Sequence, residues 1–292
     1  QAVIYSHLFI NGILKRVLSD NQLEKIRLFI EKLLILSINK ALKEQQLFEL
    51  KNKLSSIVPD IRHQYSCFEI DTKYLELKVR AEHAFQFSLI QKAIDILDIT
   101  EDSSIVDIGD SSGTHIQYII SLLGNFHALS VDLNPKAVEK VKNKGLVAVC
   151  ARAEELDKFG ITADLFLSFE MLEHLHNPID FLRNLSTTNC KGFVLTVPYR
   201  AQSRVSLNHI RHNNKMKVSA ENTHVFELSR QDWKLLLRHS GWRVIFEQTY
   251  LQYPKNSPLH LSKFYWKTKD FEGFWGVILV RDPVWRDLYQ NW

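Results

Sequence analysis

The sequence predicts an α/β domain built on a parallel sheet and preceded by a helical region. Three observations predict it. Short apolar runs, SIVDIG, HALSVD, LVAVC, DLFLSF and GFVLTVP, succeed one another from about residue 103 with helical segments between them, the pattern of strands covered on both faces. Residues 1 to about 98 are poor in glycine and repeat apolar side chains at helical intervals. The first apolar run also closes on small residues that let a ligand approach the backbone.

Bulk composition sets the limits. A chain of 292 residues buries a full core, as one large domain or one domain with an appendage. Hydrophobic residues at 45% and charged residues at 24% exclude a disordered chain. A formal charge of +4 is too small by itself to argue for nucleic acid. Cys67, Cys150 and Cys190 lack metal-ligand spacing and cannot all pair, which points to a reducing compartment, the cytoplasm. The most apolar stretch, LFIEKLLILSI, carries Glu31 and Lys32 and is shorter than the roughly 20 apolar residues that span a bilayer, so no transmembrane segment or signal peptide is expected.

In the N-terminal region Leu23, Ile26, Phe29, Ile30, Leu33 and Leu34 fall at helical spacing, as do the apolar residues of AFQFSLIQKAIDIL, with a break near SSIVPD. This region serves either as a lid or partner-binding appendage or as a helical layer packed on the main domain, which spans 99–292. After the fifth run come a polar insertion at about 198–227 and a helix, SRQDWKLLLRHSG, that starts from Ser229 as N-cap and stops before Gly241. WRVIFEQTY and FWGVILVRD supply two more strands around a second insertion at about 252–270.

SIVDIGDSSGTHIQYIISLL reads as strand, small-residue turn and helix. Gly109 and Gly113 permit close approach, and the free N–H groups near Thr114 favour an electronegative group. The spacing is not G-x-G-x-x-G, which disfavours a nicotinamide enzyme. The next strand ends at Asp132, where a carboxylate can accept hydrogen bonds from both ribose hydroxyls of an adenosine cofactor.

These segments, with ARAEEL and DLFLSFEMLEHLHNP after them, resemble the class I S-adenosylmethionine-dependent methyltransferases over residues 100 to 250 or so. The resemblance implies a Rossmann-like, seven-stranded, mostly parallel sheet with an antiparallel last strand, for which FWGVILVRD is the candidate. It also implies S-adenosylmethionine as cofactor. Asp107, Gly109, Ser111 and Gly113 would then line its methionine and ribose, with Asp132 on the ribose. Leu133 would cover one adenine face, Ala153 with Arg152 or Glu154 would lie at its edge, and Phe169 would begin the loop under the sulfonium. Two positions depart from the family pattern. Ser111 stands where glycine is usual and suits the turn if φ stays negative, and Arg152 replaces an aspartate and cannot accept the adenine amino hydrogen bond.

Glu170, Glu173 and His174 in FEMLEHLHNP have the i, i+3, i+4 spacing of one side of a helical turn. With His224 they resemble the divalent-metal site of small-RNA 2′-O-methyltransferases and some ubiquinone O-methyltransferases. That resemblance implies Mg²⁺, Mn²⁺ or Zn²⁺ holding a hydroxyl for attack on the methyl group. His174 acting as a metal-free general base is the catalytic alternative; a helix N-terminus stabilised by the two acids is the structural one. Arg200, Arg204, Arg211, Lys215 and Lys217 in the insertion would attract an anionic acceptor, an anionic membrane surface or an RNA end. Tyr253, Phe264, Tyr265 and Trp266 either wall the acceptor pocket or pack on the helices.

The expected activity is therefore methyl transfer, with oxygen the favoured nucleophile. A small-molecule, glycan or lipid-linked acceptor ranks before RNA, and the rival is a non-catalytic scaffold. The sequence leaves oligomeric state open.

Overall fold

A computed structural model describes residues 19–65, 68–124, 126–268 and 271–290. The helical pattern read before Ser19, and Cys67, lie outside the described residues.

Three helices come first: α1 (Asp20–Glu44), α2 (Phe48–Ile57) and α3 (Lys73–Ile96). Ser19 and Gln22 close a capping box on α1, and the Thr72 hydroxyl accepts the Leu75 N–H at 3.1 Å to start α3. From Val79 to Ala93 almost every residue of α3 is buried, because the helix lies between the sheet and the other N-terminal helices.

The strands are β1 (Ser104–Ile108), β2 (His127–Asp132), β3 (Ala148–Cys150), β4 (Leu165–Phe169) and β5 (Gly192–Pro198). After a small ribbon of β6 (Arg204–Val205) and β7 (Phe226–Glu227) come β8 (Trp242–Leu251) and β9 (Gly273–Arg281). The main sheet has seven strands in the order β3-β2-β1-β4-β5-β9-β8. The pairs from β3 through β5 are parallel, and β9 runs antiparallel between β5 and β8. This is the sheet that the seven apolar runs predict. The β6/β7 ribbon inside the polar insertion was not predicted, since two-residue strands show no periodicity.

The crossover helices are α4 (Thr114–Leu123), α5 (Pro135–Asn143) and α6 (Pro178–Thr187). A one-turn α7 (Asn208–Arg211) precedes α8 (Arg230–His239), which starts at Ser229 as expected; α9 (Ser262–Thr268) and α10 (Pro283–Leu288) follow. Alternate strand residues feed two cores. Ile105, Leu165, Leu167, Val194 and Ile278 pack with α1, α3 and α4. Val106, Phe166, Phe193, Leu195 and Val277 pack with α6 and α8, together with Trp233, Trp242 and Trp275.

Of the aromatics of the second insertion, Trp266 is buried and stacks on Tyr74, whereas Phe264 is exposed; the Ser262 and Ser37 hydroxyls meet at 2.7 Å. No helix among the described residues is long and apolar enough to cross a membrane.

The helical layer sits flush on the sheet at Gly276 of β9, where an added Cβ would lie 2.2 Å from Leu89 Cδ1 and 3.0 Å from the Phe85 ring. Gly276→Ala should therefore destabilise the fold by about 1–3 kcal/mol through overpacking, read as a lowered midpoint in thermal denaturation. An unchanged midpoint would show that α3 is free to recede.

Candidate active site

The turn after β1 and the loop after β4 leave the same sheet edge and enclose a cleft of about 580 Å³. Gly109, Ser111, Asp132, Leu133, Arg152, Ala153, Glu154, Phe169, Glu170 and His174 line it. Asp107 and Gly113 stand behind it. Asp107 is 1% exposed, and Gly113 takes φ 75° with Val141 Cγ atoms 3.1 Å from where a Cβ would be, so it lets α4 approach α5.

Gly109 is left-handed, φ 86°, and Met171 packs over it. Ser111 does not meet the condition of a negative φ: φ is 58°. Its N–H donates to Asp132 Oδ2 at 3.0 Å, and the Asn134 N–H donates to Asp132 Oδ1 at 2.7 Å. Asp132 is thus held by one backbone donor per oxygen, and each oxygen retains acceptor capacity toward the cleft. Burial raises its pKa against those two hydrogen bonds. Arg152 turns to Glu154, 3.7 Å away, and Leu133 is 48% exposed on the cleft wall.

Beneath the turn lies a charged group of which sequence reasoning named Asp107 but missed Asp110 and His115. His115 on α4 meets Asp107 at 3.2 Å and Asp110 at 3.5 Å, its other nitrogen is 2.9 Å from Gln86 Oε1, and its ring lies against Phe169. Burial opposes charge on His115, but the two carboxylates outweigh it and hold its pKa at about 9. Burial and the neighbouring Asp107 push Asp110 up to about 7, and both Asp110 oxygens lack a hydrogen-bond partner among the described residues. The acid between Gly109 and Ser111 in the motif was the available signal.

The acid loop departs from a regular helical turn. Glu170 has φ 51°, and Leu172–His174 forms only a three-residue 3₁₀ turn. Such a turn has almost no macrodipole for two acids to stabilise, which removes the helix-start explanation. Glu173, His174 and His224 bring ligand atoms within 4.8 Å of one another, and Glu170 is not in that group. Glu170 nonetheless stays near enough to Glu173 for that acid to raise its pKa.

Both histidines are anchored through Nδ1. His174 Nδ1 lies 2.8 Å from the Ala220 carbonyl oxygen and 3.1 Å from that of Thr223, and His224 Nδ1 lies 2.8 Å from Glu227 Oε1. Nε2 of each is left as the ligand atom. Arg200 and Arg204 approach Glu227 Oε2 at 3.1 and 2.7 Å. The expectation that the five cations of the insertion attract an anionic acceptor is therefore corrected for these two. Arg211 is also engaged, donating to the Val205 and Ser206 carbonyl oxygens, which leaves Lys215 and Lys217 exposed. Glu227, three residues after His224, went unnoticed in the sequence.

Electrostatics separates His174 from its neighbours, since burial opposes charge on His224 but Glu227 and Glu173 outweigh it and raise its pKa. Burial raises Glu173 to about 7 and Glu170 well above the usual carboxylate range, with Glu173 and Glu82 of α3 adding repulsion on Glu170. Burial, then His224, lowers His174 to about 4, so it is neutral at physiological pH.

A family model described as a methyltransferase domain matches residues 79–247. The chain belongs to the class I S-adenosylmethionine-dependent methyltransferases. Three solved structures share the fold of this methyltransferase at low identity. Magnesium protoporphyrin IX methyltransferase of Synechocystis PCC 6803, with bound S-adenosylhomocysteine, is 11% identical over 79% of this chain and 93% of its own, TM-score 0.51. A proposed sarcosine dimethylglycine methyltransferase of Galdieria sulphuraria is 9% identical over 72% and 87%, TM-score 0.52. The cyclase SpnF is 10% identical over 83% and 97%, TM-score 0.51. No curated protein matches the chain by sequence. A cyclase on the same fold shows why the acceptor chemistry of this methyltransferase must be argued from its own side chains.

The buried cation gives a pH-dependent prediction. Because the folded pKa of His115 is raised from 6.5 to about 9, its stabilising charge is fully present below about pH 6.5 and is lost as pH rises through 9. His115→Gln should cost about 3–5 kcal/mol near neutral pH, and the gap from wild type should shrink in alkaline denaturation curves. A gap independent of pH would contradict the ion-pair assignment.

Proposed function

We propose that the protein is an O-methyltransferase assisted by a divalent cation and acting on a small-molecule, glycan or lipid-linked hydroxyl. The observation that carries this reading is the convergence of Glu173, His174 and His224 beside the cofactor cleft, with both Glu173 oxygens buried and without hydrogen-bond partners among the described residues. A buried, unpaired carboxylate is costly unless a cation meets it.

The donor set fits such a group. One carboxylate and two imidazoles, the latter oriented by carbonyl and carboxylate partners behind them, match a Mg²⁺, Mn²⁺ or Zn²⁺ site with positions left for a substrate oxygen. A bound cation would supply Lewis acidity, lowering the pKa of an acceptor hydroxyl. His174 is better suited as a neutral ligand than as a free base, since an imidazole pushed down to about 4 is a poor proton acceptor from a hydroxyl. Glu170, displaced from the other three, faces the cleft as an acceptor-side carboxylate.

For the cofactor, Gly109 and Ser111 present backbone to methionine and ribose, and Asp132 receives the ribose hydroxyls. Leu133 covers an adenine face, the Ala153 backbone lies at its edge, and Glu154 supplies the acceptor that Arg152 cannot. Phe169 would lie under the sulfonium, and Asp110, ion-paired with His115 but with no hydrogen-bond partner on either oxygen among the described residues, would offer a carboxylate to the α-ammonium. Asp107 and Gly113 support the turn from behind. With three insertion arginines engaged within the protein, fewer cations are left to hold the phosphates of an RNA whose 2′-hydroxyl would be the acceptor, which weakens one of the two supports for that alternative.

Calorimetric titration with Mn²⁺ in the presence of S-adenosylhomocysteine tests the reading. Wild type should bind, Glu173→Gln should abolish binding, and Glu227→Gln should weaken it about 10–100-fold by loosening His224. Binding by Glu173→Gln equal to wild type would exclude the proposed ligand set.

A further inference from the structure

The nucleotide turn is unusually rich in hydroxyls, and one residue from outside the sheet collects them through its backbone carbonyl and its side-chain amide. Gln64, in the connection between α2 and α3, is 5% exposed. The Ser111 hydroxyl donates to its backbone carbonyl at 2.8 Å, the Ser112 hydroxyl donates to its Oε1 at 2.7 Å, and the Thr114 hydroxyl donates to the same Oε1. The neighbouring residue is tied as well: Lys140 of α5 donates to the His63 carbonyl oxygen at 3.1 Å. Immediately after Gln64, Tyr65 and Phe68 stack with ring centroids 4.7 Å apart and line the cofactor cleft.

We propose that Gln64 is a positioning residue for cofactor binding: it clasps Ser111, Ser112 and Thr114 and so fixes Tyr65 and Phe68 as one wall of the cleft. The clasp accounts for serine at position 111. The backbone there is left-handed, φ 58°, a conformation glycine adopts without steric cost and serine does not. A serine hydroxyl bonded to Gln64 gives that strain a return that glycine lacks. Free of the clasp, the aromatic wall must be ordered when the cofactor binds, and the apparent affinity is the intrinsic one multiplied by the fraction of molecules in which the wall is already in place.

The inference rests on the family's cofactor and not on the metal reading. Two explanations of Ser111 predict opposite signs. If the serine is only a strained replacement, Ser111→Gly relieves the turn and S-adenosylhomocysteine binds as tightly as before or more tightly. If it is half of a clasp, binding weakens. Calorimetric titration with S-adenosylhomocysteine should show Ser111→Gly and Gln64→Ala each weakening binding up to about tenfold, as expected for one or two lost hydrogen bonds. The double variant should be no weaker than the worse single, because both changes open the same clasp. Gln64→Glu, which keeps an acceptor for the Ser112 and Thr114 hydroxyls, should recover most of the affinity lost in Gln64→Ala. Circular dichroism on each variant ensures that folded proteins are compared. Unchanged or tighter binding by Ser111→Gly, or a double variant whose loss is the product of the two singles, overturns the proposal. Failure of the unaltered protein to bind S-adenosylhomocysteine would overturn the cofactor assignment along with it.

Discussion

Everything in this molecule depends on β1 being hydrogen-bonded between β2 and β4 while the chain leaves β1 and β4 toward opposite faces of the sheet. After β1 the chain enters α4, which packs with the N-terminal helices, and after β4 it reaches α6 in the other core. Two loops that part at adjacent strand ends leave a crevice between them, the place where open α/β sheets hold ligands. Cofactor turn and acid loop are neighbours for that reason, though about sixty residues separate them in the chain.

Charge is then distributed around this crevice in a graded way. Asp107, Asp110 and His115 form a buried group beneath the turn, and Glu82, Glu170 and Glu173 form a second group of acids beside it. The first carries its own cation in His115. The second has Lys78 of α3 acting on Glu82 and Glu170 and a neutral His174 beside it, while Glu227 holds His224 from behind and is itself held by Arg200 and Arg204. A site with more buried acid than nearby base is suited to a cationic cofactor and a metal ion. The same arrangement would repel an anionic acceptor unless a bound cation met it first.

The sheet was legible because seven apolar runs of strand length alternate with helices, and burial on both faces leaves a strong imprint on composition. The seams between distant segments were not. Gln64 is one amide in a loop, and nothing local says that three hydroxyls some fifty residues later will converge on it. Glu227 was within reach, since a carboxylate three residues from a candidate ligand histidine is a plausible partner for it. Counting the cations of the insertion overstated the charge left for a ligand, because charge that folding consumes cannot be told apart in the sequence. Spacing also misled at Glu170. The i, i+3, i+4 rule holds only if the backbone is helical; residue 170 is left-handed, and its carboxylate is not in the group that Glu173, His174 and His224 form.

Crystals soaked with S-adenosylhomocysteine and Mn²⁺, with anomalous scattering recorded at the manganese edge, test the central claim most directly. The account predicts nucleoside density between the Gly109–Ser111 turn and Asp132, and a single anomalous peak bounded by Glu173, His174 and His224. Nucleoside bound elsewhere on the sheet, or a peak at Asp107, Asp110 and His115 in its place, would contradict it.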